Sequence, residues 1–387
     1  MTDQLRPLSR AFHDRARDRL RARAEAAGLD GMLLLLGPNL AYTTGLFLTP
    51  NERPMGVWVP VAGDPTLLLP DLERENAEGT GIADLRFYGE FPGEMPAELW
   101  MLDQIGRKSI AIDFLDAALL DAARDRLDRL DLTDHALAAR TIKEPEEIAL
   151  TEAAAGFADC FLQRLHGSAA DIIAQGGTEA DLLADGMAHA RKALFTEHGS
   201  TFAGTPMGIT ATVHSGPRAA LPHGAVLDRQ PQPGETLIAG IGGSLGGYHA
   251  ESGVTLIVGE MSAEQRRVME AMAACNDAAV AACAAGRTCE EANTAALDEL
   301  RGAGLGEAIR HRIGHGMGLQ GHEAPWLAPG DTTPIRPGMV FSNEPGVYRP
   351  GHDGYRVINT MVVTEEGVTV PSKFQSDTPI DQRVIPF

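Results

Sequence analysis

Two stretches of this chain open in the same way. "GGTEADLLADGMAHAR" (176–191) and "GRTCEEANTAALDELR" (286–301) each give glycine, then threonine, then acidic residues, then a helical run. A threonine at that place caps a helix by accepting a hydrogen bond from a first-turn N–H, and carboxylates there face the positive end of the helix dipole. Each stretch is followed by glycine-rich sequence carrying histidine, so a helix-plus-strand pattern occurs twice. Two such halves facing each other enclose a cleft. The chain has 387 residues, beyond the roughly 250–300 at which one hydrophobic core stops growing, so a further domain is expected beside the duplicated part.

That further domain reads as α/β and occupies residues 1–139. Residues 10–27 form a charged helix, "GMLLLL" (31–36) a buried strand followed by a turn at "GPN". Strands at "GVWVPV", "TLLLP" and "SIAIDF" alternate with helices near 71–79 and 115–130. The second domain, 140–387, opens with "RTIKEPEEIALTEAAAGFADCFLQRL", where Pro145 starts a helix and Glu146 and Glu147 fill its first turn. Within it "TLIAGIGGSLGGYHAES" (236–252) reads as a β-hairpin turning at Gly246 and Gly247, with Glu251 the one ionised side chain near its centre.

Charge narrows the partners. Acidic residues outnumber Lys and Arg by 53 to 33, for a formal charge of −20, which argues against a nucleic-acid partner. No stretch approaches the ~18 uncharged apolar residues of a membrane span, and the opening "MTDQLRPLSRAFHDRARDRLRARA" has no apolar signal core, so no membrane association and a cytoplasmic location are expected. Cys160, Cys275, Cys283 and Cys289 form no CxxC and are read as free, buried thiols.

Four polar clusters fall in strands and loops suited to line the cleft. "HSGPRAALPHG" carries His214 and His223; the hairpin carries His249 and Glu251; "RIGHGMGLQGHEAPW" carries His315, His322 and Glu323; "GMVFSNEPGVYRPGHDGYRVIN" carries Glu344 and Arg356. Glycine and proline around each permit close backbone approach. His315, set between two glycines on an apolar run, has no obvious packing purpose, whereas His198 and His352 read as ordinary loop residues and Glu323 and Asp353 are given no role.

Together these motifs resemble the creatinase and aminopeptidase P superfamily, the pita-bread hydrolases. "GPNLAYTTG" and "NERPMGVWVP" are similar to its N-terminal domain, "RTIKEPEEI" to its domain junction, and "ALPHG", "GHGMGLQGHEAPW", "GMVFSNEPGVY" and "GYRVINTMVVTEEG" to its catalytic half. The resemblance implies a creatinase-like α/β N-terminal domain, an α+β pita-bread catalytic domain, hydrolysis of a C–N bond in a small-molecule or dipeptide substrate, and a homodimer. In the metallopeptidase branch two metals are held by two Asp, one His and two Glu. Those positions fall here on Gly240, Glu251, His315, Glu344 and Ile358. Glycine and isoleucine cannot ligate through their side chains, so the resemblance implies at most one divalent ion (Mn, Zn or Co) on Glu251, His315 and Glu344, or none.

Creatinase, the metal-free member of the superfamily, uses a histidine as proton carrier and shares "GYR" at Gly354, Tyr355 and Arg356. Its catalytic histidine matches His223, but the glutamate of its hairpin falls on Gly253, so creatine itself is not the expected substrate. The expected roles are proton transfer by His223 and His322, catalysis by Glu344, and substrate binding by Arg356, Glu251 and Arg53, the last reaching a neighbouring subunit's cleft. Three readings stay open: an Xaa-Pro-dipeptidase-like or creatinase-like hydrolase with at most one metal, a two-metal proline peptidase, and a non-catalytic binding protein.

Overall fold

Ser9 accepts a hydrogen bond from the Phe12 amide and starts a helix over Arg10–Ala26, whose buried face is Phe12, Ala16, Leu20 and Ala24. It belongs to a unit spanning Pro7–Arg140, one of two into which the computed structural model divides; the structure describes residues 5–284 and 286–387. The unit is built on six strands, β1 (Gly31–Leu34), β2 (Gly56–Pro60), β3 (Thr66–Pro70), β4 (Asp84–Tyr88), β5 (Ser109–Ile112) and β6 (Arg129–Asp131), in the order β4-β3-β2-β1-β5-β6. β1 and β3 lie antiparallel to β2, and the outer pairs are parallel.

Two local expectations are corrected here. "GPN" is the first turn of a helix, Gly37–Thr44, because Pro38 lacks only an N–H that a first turn leaves unbonded anyway. Asn39 is spent on Asp113 and Asp134, 2.8 and 2.9 Å away, rather than on a turn. The 115–130 segment holds a short helix, Leu120–Arg124, and then the edge strand β6, where charged residues mask the period of a strand.

The second unit is built on Thr141–Phe387. Its first helix, Pro145–Ala174, carries a capping box between Glu144 and Glu147. The two repeated openings form matching boxes: Thr178 with Asp181 begins the helix Glu179–His198, and Thr288 with Glu291 begins Cys289–Gly302. His198, expected in a loop, is the buried last residue of its helix and packs edge-on against Phe157 and Phe202.

Nine strands make the main sheet: β7 (Gly208–Ser215), β8 (Thr236–Leu245), β9 (Tyr248–Val258), β10 (Gly314–Gly316), β11 (Glu323–Leu327), β12 (Val340–Asn343), β15 (Ile358–Thr364), β16 (Gly367–Thr369) and β17 (Val384–Ile385). The path runs β11-β10-β12-β15-β9-β8-β7, and a separate ribbon pairs β13 (Gly346–Arg349) with β14 (Asp353–Arg356). The β8–β9 turn is two residues, Gly246 and Gly247 at φ 59° and 82°, the left-handed geometry a tight hairpin needs. One core cluster joins Val268, Met272 and Cys275 of the helix Ala263–Ala282 to Ala292 and Leu300 of Cys289–Gly302 and to Phe341 and Met361 of the sheet. All four cysteines are free, and all but Cys160 are buried. Among the described residues no helix is long and apolar enough to cross a membrane.

Candidate active site

Residues paired across antiparallel strands project from the same face, so register decides which side chains meet. His315 pairs with Ser342, Ser342 with Thr360, and Gly242 with Glu251. The Thr360 hydroxyl accepts from the Glu251 amide and donates to its carbonyl, both at 2.8 Å, which joins these pairs into one polar row across five strands. Two residues further along each strand lies a second row, Gly240, Gly253 and Ile358. It offers no side-chain donor atom for a metal.

In the polar row His315 is fully buried, and its Nδ1 lies 3.0 Å from the Gly316 carbonyl. With Nδ1–H spent on that carbonyl, Nε2 is the nitrogen aimed into the cleft, 3.4 Å from Glu344 Oε1 and 3.8 Å from Glu251 Oε2, without a well-formed hydrogen bond. A lone pair facing two carboxylates is unfavourable, so this spot calls for a positive charge, either a proton on Nε2 or a cation. Burial pulls the imidazole down, but the close approach of Glu344 and the charges of Glu251 and Glu344 outweigh it and hold His315 above its ordinary value. Burial raises Glu344 too, and His315 more than reverses that. For Glu251 burial wins over His315 and over Ser342, whose hydroxyl donates to Oε2 at 2.6 Å, leaving the carboxyl above the usual range.

His322, more than half exposed, stacks on His315 with ring centroids 3.9 Å apart and places Nε2 3.9 Å from Glu251 Oε1. Burial and His315 together lower its pKa. One ligand atom each from Glu251, His315 and His322 lie within 4.8 Å of one another. His322 thus joins the group that the sequence drew as Glu251, His315 and Glu344.

Arg356 ends β14 with its Nη1 donating to the Pro222 carbonyl at 2.8 Å. A Cβ built on Gly240 would lie 2.6 Å from Arg356 Nη2 and 3.2 Å from Ile358 Cδ1. The guanidinium and an isoleucine methyl therefore fill the space that a side chain at 240 would enter. His223 is exposed on the loop after Pro222 and, with His322, Glu344 and Arg356, lines two adjoining cavities of about 570 and 380 Å³. Arg53 lies in the other unit, where Glu90 holds it at 2.9 Å and Glu52 also pairs with it. Glu323 is buried against Lys143 at 2.8 Å, and Asp353 is held by Arg349. Ser342, Thr360, His311 and Arg312 were not singled out from sequence, although "RHR" (310–312) directly precedes the "IGHG" run.

Residues 150–365 match the model of metallopeptidase family M24, and residues 17–142 that of the creatinase/prolidase N-terminal domain. The chain belongs to metallopeptidase family M24. It is a hydrolase of the C–N-cleaving class, with the two-domain creatinase-type architecture of that family. The probable dipeptidase PepE of Mycobacterium tuberculosis is 34% identical over 350 residues, 88% of this chain and 89% of that one. An Xaa-Pro dipeptidase of Lactobacillus helveticus is 30% identical over 364 residues, 90% and 93% of the two chains. The crystal structure of dipeptidase PepE from Mycobacterium ulcerans superposes with a TM-score of 0.84 at 30% identity, covering 98% of this chain and all of that one.

M24 peptidases are metal-dependent, and the two metal positions fare differently here. The row of Gly240 and Ile358 does not fit an ion, because it lacks donors and is occupied by the Arg356 guanidinium. The row of Glu251 and His315 fits one cation, since the buried Nε2 of His315 lacks a hydrogen-bond partner and faces carboxylate oxygens.

Proposed function

We propose that this M24 chain hydrolyses the C–N bond of a dipeptide or dipeptide-like substrate with a free carboxylate, Xaa-Pro dipeptides being the first candidates, and that it uses at most one divalent ion. The observation that carries this reading is the Arg356 guanidinium in the space beside Gly240. Glu251, His315 and His322 would hold the single ion, with Glu344 beside them; when bound, it supplies Lewis acidity toward a carbonyl or a water.

The remaining work falls to side chains. Glu344, kept ionised by His315, accepts a proton from the attacking water. His223, solvent-accessible at the edge of both cavities, returns a proton to the leaving nitrogen, and where no ion is held His322 relays protons between His315 and solvent. Arg356 pairs with the substrate carboxylate through its planar fork. A metal-free form of the same hydrolysis is the second reading, favoured because a proton on His315 satisfies both flanking carboxylates. The homodimer, and Arg53 serving a neighbouring subunit's cleft, belong to the same proposal.

The test is elemental analysis of protein expressed with Mn and Zn, paired with hydrolysis of Ala-Pro and Leu-Pro before and after chelation. At most one equivalent per chain together with turnover is expected. Two equivalents would overturn the metal count in favour of a two-metal peptidase, and no cleavage of any dipeptide would favour a binding protein.

A further inference from the structure

Many arginines of this acidic chain pair with carboxylates. Arg86, Arg126, Arg164, Arg229 and Arg349 each lie within 3.0 Å of a carboxylate oxygen. Three arginines around the larger active-site cavity differ. Arg310, Arg312 and Arg356 donate to the backbone carbonyls of Glu307, Gly314 and Pro222, and among the described residues none of them forms an ion pair with a carboxylate. The same cavity is lined by His223, His311 and His322, and its one acidic side chain is Glu344. In a protein with a formal charge of −20, this is a concentrated positive concavity.

Its arginines are also oriented. Arg312 lies over the Trp326 ring, 4.7 Å from the centroid, and its Nε is tied to Gly314, so the Nη groups are the ones left to meet a ligand. Burial brings the pKa of His311 down, and its Nε2 is taken up by the Tyr348 hydroxyl at 2.9 Å, so His311 is not the group that meets an anion in the cavity. Three guanidinium groups set around a single carboxylate, Glu344, leave an excess of positive charge, and a ligand carrying more than one negative charge balances it through bidentate contacts.

We propose that this cavity selects substrates bearing two carboxylates, Arg356 taking the one nearer the scissile bond and Arg312, with Arg310 at the rim, taking the second. This rests on the hydrolase reading above but makes a separate claim about what the site holds, and it is tested by binding.

Glutarate, succinate, butyrate and inorganic phosphate are titrated calorimetrically into the full-length protein at constant ionic strength. Glutarate or succinate should bind at least about tenfold more tightly than butyrate, the usual effect of one added charge-assisted contact. Arg312→Gln should bring that ratio to within about threefold, Arg312→Lys should keep part of it, and Arg310→Gln, at an exposed site that tolerates change, should reduce it. Arg301→Gln, which removes an exposed pair with Asp298, should leave it unchanged. Equal binding of glutarate and butyrate, a ratio unaltered in both Arg312→Gln and Arg310→Gln, or phosphate binding more tightly than either dicarboxylate would overturn the proposal. Because the titration does not read turnover, dicarboxylate selectivity without dipeptide cleavage sinks only the dipeptide reading, and cleavage without selectivity sinks only this one.

Discussion

Gly240→Asp, Ile358→Glu and Glu251→Asp, made together, should convert the second row into a metal site, and the structure sets the terms. The Cβ at 240 would come within 2.6 Å of Arg356 Nη2, too close for any real contact, so the guanidinium must swing away from Pro222. Losing that hydrogen bond costs about 1–3 kcal/mol. Replacing Ile358, only 5% exposed, forfeits about 2 kcal/mol of apolar burial. Without metal the triple variant should therefore lose about 3–5 kcal/mol, a Tm drop of roughly 10 °C for a unit of this size. At a Mn²⁺ concentration a hundred times its Kd, about 2.7 kcal/mol returns, and with it roughly 5–10 °C. Gly240→Asp alone should behave differently: its carboxylate meets Arg356 first and pairs with it, so Mn²⁺ should not raise its Tm. Calorimetric melts with chelator and with Mn²⁺, alongside metal analysis, decide the matter. A triple variant whose Tm and metal content both ignore Mn²⁺ would refute the claim that these backbone positions aim at a latent metal site.

Glu344→Gln should cut turnover at least about a hundredfold with little change in Tm, and His223→Ala should do likewise through lost proton transfer; unchanged rates in both would remove them from the mechanism. Burial pushes the Cys275, Cys283 and Cys289 thiols up to about 12, so at pH 8 a thiol reagent should modify no more than Cys160 in the folded protein and all four in denaturant. Burial, then Arg356 and Arg218, push His214 down to about 4 from 6.5. The unfolded chain takes up that proton first, so the stability this residue contributes is complete above pH 6.5 and is lost as pH falls toward 4; His214→Gln should flatten the slope of unfolding free energy across that window, and an unaltered slope would contradict the assignment.

Much of the site was legible because its chemistry sits in short glycine-bounded motifs. Gly246 and Gly247 mark the hairpin turn, and the turn fixes where Glu251 falls. Thr178 and Thr288 announce both helix starts by the spacing of their capping boxes. What escaped the sequence depends on register between distant strands. Nothing local says that Ser342 and Thr360 stand in one row with His315 and Glu251, since β10, β12, β15 and β9 meet only in the fold. The same holds for Arg356: "GYR" shows a cation, but only the pairing of Gly240 with Gly253 and of Gly253 with Ile358 shows that it fills the space beside Gly240. In the N-terminal unit "GPN" misled because proline serves a turn and a helix start equally well.

The row of Gly240, Gly253 and Ile358 also bears on how such an enzyme can change its trade. Successive side chains of a strand project to opposite faces, so residues such as Ala239 and Val254 turn away from the face that carries these three positions, and packing and lining are written in alternate letters of the same strands. A lineage can therefore exchange ligands for a guanidinium, or the reverse, by a few codon changes on one parity while the other parity stays fixed. An inserted residue in the two-residue turn would be far more damaging than any such exchange, because it would swap the parities and present the lining to the core. A library confined to 240, 253, 356 and 358, with the turn untouched, varies the lining while keeping the register of the sheet, and each member has to make room among Arg356, Ile358 and the Ala239 carbonyl.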